Sequence, residues 1–166
     1  MVDSGQKLCY NFHTNRERRE ICSVSGKNYT HQLDAKNRMR IPAKLREELG
    51  DGYTVTVGTG GCLYVYTAEQ MKEVKESLKK INPFKEKQLQ VARYILYNSW
   101  EAEEDKQGRI LLPENLRKYA KIDKNVVVFK GPNCVEIWSE EVWNDYFSNV
   151  DFGELADAFE SLKENE

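Results

Sequence analysis

The sequence predicts an α+β protein: one β unit written twice, with helices at its periphery. Three observations carry that prediction. DAKNRMRIPAKLR at residues 34–46 returns as DKQGRILLPENLR at 105–117, with Asp, Arg, Pro, Leu and Arg in register at an offset of 71. The likeness then continues, Asp51–Val57 matching Ile122–Phe129 and CLYVYTAE (62–69) matching CVEIWSEE (134–141) after one inserted residue. Finally, each copy is followed by stretches whose apolar residues recur at helical spacing. A repeat of this size cannot bury its apolar face alone, so the two copies are expected to pack together about a pseudo-two-fold axis.

Each copy reads strand, tight turn, strand, short helix, strand, turn, strand. Asn37 and Gly108 hold the same place in the first turn, and both residue types tolerate a left-handed backbone. Pro42 and Pro113 stand where a strand gives way to a short helix, a place where a missing N–H costs little. Gly50 suits the stop of the first short helix. The runs YTVTV and NVVVF are rich in strand-forming residues. Gly58–Gly61 and Gly131–Asn133 turn the chain into the next strand. Thr67-Ala-Glu-Gln70 is a capping box opening a helix to about Ile81, which Asn82-Pro83 breaks. A second helix is expected from about Lys85 to Asn98, with Leu89, Ala92, Arg93, Leu96 and Tyr97 at helical spacing and Val91 and Ile95 widening the face. Ser139 is expected to cap a helix through about Ser148. Residues 151–163 offer one more amphipathic helix, with Phe152, Leu155, Ala156, Phe159 and Leu162 on one side.

This divides the chain into a first repeat (28–70), connecting helices (71–98), a second repeat (99–142) and an acidic helical tail (143–166). Residues 1–27 form an extension expected to be disordered, because its first 23 residues show no period. Its alternatives are a basic arm (Arg16, Arg18, Arg19) or translated leader sequence with Val24 as the start.

Composition bounds the function. With 40% apolar and 31% charged residues in 166, the natural class is a soluble globular protein. No apolar run approaches the roughly 18–20 residues of a membrane helix, and no secretory signal opens the chain, so a cytoplasmic home is expected. The cysteines (Cys9, Cys22, Cys62, Cys134) form no CxxC pair, and His13 and His31 are the only histidines. That argues against a zinc site or a disulfide framework. Cys62 and Cys134 instead suit small buried hydrophobes. The net charge of −2 hides an uneven distribution. Residues 131–166 carry one base and ten acids, leaving 24 bases against 17 acids in residues 1–130, a net of +7. An acidic tail can thus mask a basic working surface.

Catalytic chemistry is hard to find. The histidines are too isolated for a triad, and GTGGC fits neither glycine-rich phosphate pattern. Glu101, Glu103 and Asp105 would share one face of a strand, which reads more simply as a solvated face than as a cation site. No cofactor or small-molecule substrate is indicated. The Asp-x-x-x-Arg pair carries more. Asp at the head of a tight turn can accept hydrogen bonds from backbone N–H groups two or three residues on, and can hold the Arg four residues later by a charge-assisted bond. A guanidinium with five donors is then oriented without being consumed, which suits phosphate or guanine contact. The competing reading is a salt bridge that only fixes the hairpin. Duplication, with Lys36, Arg40, Lys44 and Arg46 nearby, favours DNA contact. Arg38 and Arg40 alternate with Met39 and Ile41, so one strand face of the first copy is basic. Arg109 is followed by Ile110, Leu111 and Leu112, so the second copy is expected to act more in packing.

At LDAKNRMRIPAKLR, GCLYVY, DKQGRILLPENLR and EIWSEEVW the chain resembles the MraZ family, transcriptional regulators of bacterial division and cell-wall gene clusters. The resemblance covers about residues 28–150. It implies a duplicated AbrB-like swapped-hairpin β-barrel with peripheral helices, assembled as a ring-shaped homo-oligomer in the cytoplasm and nucleoid. It also implies binding to direct repeats in double-stranded promoter DNA, as a repressor of its own operon. Carried over, the motif residues are Asp34 and Arg38, and Asp105 and Arg109. With Lys36, Arg40 and Lys106 they complete the expected DNA-binding set, the aspartates serving to brace. Gln107 stands where the first copy has Lys36. The rival class is an oligomeric scaffold or partner-binding β module without DNA.

Overall fold

The computed structural model describes residues 29–163, so the expectations for the N-terminal extension lie outside the described residues. Both copies form the elements their sequences encode. The first copy contributes β1 (Tyr29–Gln32), β2 (Arg38–Arg40), α1 (Ala43–Leu49), β3 (Thr54–Val57) and β4 (Leu63–Tyr66). Helices α2 (Ala68–Lys79) and α3 (Glu86–Tyr97) follow. The second copy contributes β5 (Trp100–Glu101), β6 (Arg109–Leu111), α4 (Glu114–Tyr119), β7 (Asn125–Lys130) and β8 (Val135–Ser139), then α5 (Glu140–Ser148) and α6 (Phe152–Lys163).

The local signals act as their chemistry requires. Asn37 and Gly108 sit at φ 58° and 69° in their turns. Pro42 and Pro113 cap α1 and α4, and Gly50 ends α1 at φ 65° with its N–H on the Arg46 carbonyl. The capping box forms in full: Gln70 N–H donates to Thr67 Oγ1, and Thr67 N–H donates to the Gln70 side chain. Ser139 differs. It occupies the cap position of α5, but it is buried and its hydroxyl makes no cap bond.

All strand pairs are antiparallel. Six strands form one sheet in the order β1-β7-β8-β4-β3-β5, and β2 pairs with β6 in a separate two-stranded ribbon. The first strand of each copy pairs with the third strand of the other, β1 with β7 and β5 with β3, and the copies meet along β4 and β8. The sheet order therefore reads the same when the copies are exchanged.

The expected β-barrel is not seen closed among the described residues. The large sheet ends at β1 and β5, and the ribbon stands apart from it. Each hairpin closes near its tip, where Asp34 N–H meets the Arg38 carbonyl and Asp105 N–H meets the Arg109 carbonyl, both at 2.9 Å, and in the second hairpin Glu104 also bridges Ile110. Beyond the three-residue ribbon strands, Pro42 and Pro113 offer no N–H to continue a ladder.

One core lies between ribbon and sheet. Met39 and Ile110, opposite each other in the ribbon, are buried with Val55, Leu63, Val65, Leu112, Leu116, Val126 and Ile137. A smaller cluster of Cys62, Val127 and Trp138 seats α5 through Val142 and Trp143. Cys62 is buried as expected, whereas Cys134 is only half-buried. Burial raises both thiols to about 12. Helix α3 docks by its C-terminal end, where the Thr56 hydroxyl donates to the Ile95 carbonyl and Asn115 donates to Asn98. Its face is only partly covered: Ala92 is buried, but Val91, Tyr94, Leu96 and Tyr97 are exposed. On α6, Phe152, Leu155 and Phe159 are exposed as well.

Candidate nucleic-acid interface

The pairing of β2 with β6 brings the two Asp-x-x-x-Arg motifs together at the pseudo-two-fold axis. In each turn one carboxylate oxygen organises the backbone. Asp34 Oδ1 accepts from the N–H groups of Lys36 (2.8 Å) and Arg38 (3.0 Å). Asp105 Oδ1 accepts from Gln107 (2.9 Å) and Arg109 (3.0 Å). The other oxygen binds guanidinium. Asp34 Oδ2 takes Arg38 Nε at 2.9 Å and Nη2 at 2.8 Å, and Asp105 Oδ2 takes the same atoms of Arg109, both at 2.8 Å.

The pairs also cross. Arg38 Nη1 reaches Asp105 Oδ2 at 3.1 Å, and Arg109 Nη1 reaches Asp34 Oδ2 at 3.3 Å. The four side chains close a ring of alternating charge with no net charge. All three nitrogens of each guanidinium face a carboxylate, which leaves two of its five N–H groups uncommitted. Both aspartates are held at about 2. For Asp34 the main cause is the side-chain bond from Arg38, and for Asp105 it is the backbone N–H of Arg109.

This geometry revises the expected division of labour. Both arginine side chains are 25% exposed, so the second motif is no more a packing element than the first. The copies differ beside the ring. In the ribbon Arg38 lies opposite Leu111, and Arg40 lies opposite Arg109. Directly opposed residues in an antiparallel pair project from the same face. Arg38, Arg40, Arg109 and Leu111 thus share the face opposite buried Met39 and Ile110. Arg40 is exposed, and its counterpart in the second copy is Leu111, 46% exposed. Lys36 and Lys106 are exposed at the two turn tips, as is Gln107.

The second turn has a support that sequence reading missed. Arg46 of α1 lies 3.7 Å from Glu104, and the Tyr53 hydroxyl donates to Glu104 at 3.0 Å. The Arg46 guanidinium also lies over Gly108, where a Cβ would stand 2.3 Å from Nη1. The available signal was the change from Asn37 to Gly108 at matched positions. Glu101, Glu103 and Asp105 do not assemble a cation site. Asp105 is spent in the ring, and among the described residues no group of three His, Cys, Asp or Glu is placed to hold a metal.

The fold and site define an internally duplicated α+β protein whose paired Asp-x-x-x-Arg turns share one basic ribbon. The MraZ family profile, described as "MraZ protein, putative antitoxin-like", matches the chain twice, over residues 25–93 and 95–164. The chain belongs to the MraZ family. Among its relatives is the transcriptional regulator MraZ of a Thermoanaerobacter species, 45% identical over 136 residues, which span 81% of this chain and 95% of the relative. Those of Clostridium tetani (39% over 135 residues; 81% and 95%) and Desulforamulus reducens (43% over 138 residues; 82% and 93%) are similar over the same extent.

Proposed function

We propose that the protein is a DNA-binding transcriptional regulator and not an enzyme, and that the β2–β6 ribbon is its reading head. The observation that carries this reading is the outward ribbon face, where three arginines are gathered and two are braced by aspartates. A two-stranded ribbon has the dimensions to enter the major groove. Braced guanidiniums lose little freedom on contact, and Lys36 and Lys106 stand at the tips for phosphates. The names of the relatives point the same way.

On this reading the topology is the AbrB-like swapped-hairpin type, the chain works in the cytoplasm and nucleoid, and its targets are direct repeats upstream of its own division and cell-wall gene cluster, which it represses. A homo-oligomeric ring completes the proposal. The uncovered apolar faces of α3 and α6 supply surface for self-association. A ring sets identical ribbons side by side, and a second engaged ribbon can raise avidity by roughly 10²–10⁴. No helix among the described residues is long and apolar enough to cross a membrane.

The same apolar faces favour the second reading, an oligomeric scaffold without DNA. Gel shifts on duplex DNA from upstream of the chain's own reading frame separate the two. A specific complex that weakens with salt, by a slope of about −0.9 per phosphate neutralised, supports the regulator, and Arg40→Ala should weaken it. Absence of any complex at low salt supports the scaffold.

A further inference from the structure

We propose that Leu111 is a base-reading side chain that takes the 5-methyl group of a thymine, while its counterpart Arg40 takes a guanine edge. The inference rests on the DNA-binding reading above and adds to it a rule for what the ribbon reads.

Four side chains project from the ribbon's outer face. Arg38 and Arg109 are tied into the ring with Asp34 and Asp105. Arg40 and Leu111 are exposed, and no ion pair engages Arg40 among the described residues. A lone exposed leucine is ordinary on a protein surface. The position of Leu111 is not ordinary. It stands directly across from Arg38, between residues that are fully buried, Ile110 at 0% and Leu112 at 1% exposure. The repeat makes the contrast plain in sequence, since Arg40 and Leu111 are related by the same offset of 71 as the motif residues.

The pseudo-two-fold axis thus relates a charged tooth to an apolar one. In the major groove the thymine methyl is the projecting apolar group on a base edge, and it is the natural match for leucine, which has no donor or acceptor. Arg is the natural partner of guanine O6 and N7. A ribbon with unlike halves reads an element with unlike halves. Such an element has a direction, so copies of it arrayed around a rotational assembly are direct repeats rather than palindromes.

The test uses the DNA upstream of the chain's own reading frame, amplified either with thymidine triphosphate or with deoxyuridine triphosphate, which removes every thymine methyl. Wild-type protein should bind the uracil DNA about fourfold more weakly for each thymine methyl that a Leu111 side chain covers, and Leu111→Ala should bind both DNAs equally. Wild-type indifference to the methyl needs no variant to interpret, and it overturns the inference while leaving the DNA-binding reading intact. Full discrimination retained by Leu111→Ala does the same. A changed oligomer mass in Leu111→Ala assigns the leucine to a contact between copies and also overturns it. No complex with either DNA overturns both readings.

Discussion

Replacing Gly108 by Ala adds one methyl group at the tip of the second turn, and its cost has two separable parts. Gly108 lies at φ 69°, a left-handed conformation that costs an L-residue about 1 kcal/mol. The usual entropic benefit of Gly→Ala does not offset this, because it requires a backbone that alanine adopts without strain. The new Cβ would also stand 2.3 Å from Arg46 Nη1, so the guanidinium must swing away and leave Glu104, 3.7 Å distant. That pair is 40% and 31% exposed, and at such exposure it contributes about 0.2–1 kcal/mol. The total is about 1–2 kcal/mol, a fall in Tm of roughly 3–6 °C for a chain of this size. Urea denaturation followed by tryptophan fluorescence, at one fixed protein concentration, measures it. In an Arg46→Ala background the second part should vanish, leaving about 1 kcal/mol. Stability within about 0.3 kcal/mol of wild type would refute the strain argument, and an equal penalty in both backgrounds would refute the contact argument.

Arg38→Ala and Arg109→Ala should each weaken binding to the upstream DNA by similar factors, because each aspartate braces both arginines; a difference above about tenfold, some 1.4 kcal/mol, would show that the motifs act separately. With folded values near 2 against an ordinary 3.8, Asp34 and Asp105 stabilise the protein above about pH 4, and that contribution disappears as pH falls through 2. The double variant Asp34→Asn/Asp105→Asn should flatten that limb of the stability curve, and an unchanged curve counts against the ring. Thr67→Ala should cost about 1 kcal/mol by removing the cap of α2, readable in the same urea titration. Phe152→Ser with Phe159→Ser should lower the particle mass in sedimentation if α6 joins copies, and an unchanged mass removes α6 from the interface.

Much of the fold was legible because its signals are local. The strand–turn–strand order, the left-handed turn positions, the Thr67 capping box and the helix break at Asn82-Pro83 depend on residues a few positions apart. The duplication predicted the pseudo-symmetry because two copies of one unit, 71 residues apart, fold alike. What stayed hidden depends on which strands meet. Nothing in the sequence of β1 says that it pairs with β7 of the other copy, or that β2 and β6 leave the sheet to pair alone. The four residues of the ring were all identified, but each Asp was matched only to the Arg four residues on. The crossed contacts exist because strand pairing sets the two turns face to face. The apolar neighbours of Leu111 point to packing, but its register with Arg38 turns it outward. Ser139 has the residue type of a cap, yet it is buried at the end of β8 and its hydroxyl makes no cap bond.

Footprinting on the DNA upstream of the chain's own reading frame decides whether the ribbon reads DNA. Regularly spaced protections over short direct repeats, weakened in Arg40→Ala, Arg38→Ala and Arg109→Ala alike, are the expected result. Uniform cleavage at protein concentrations that saturate nonspecific DNA would contradict it.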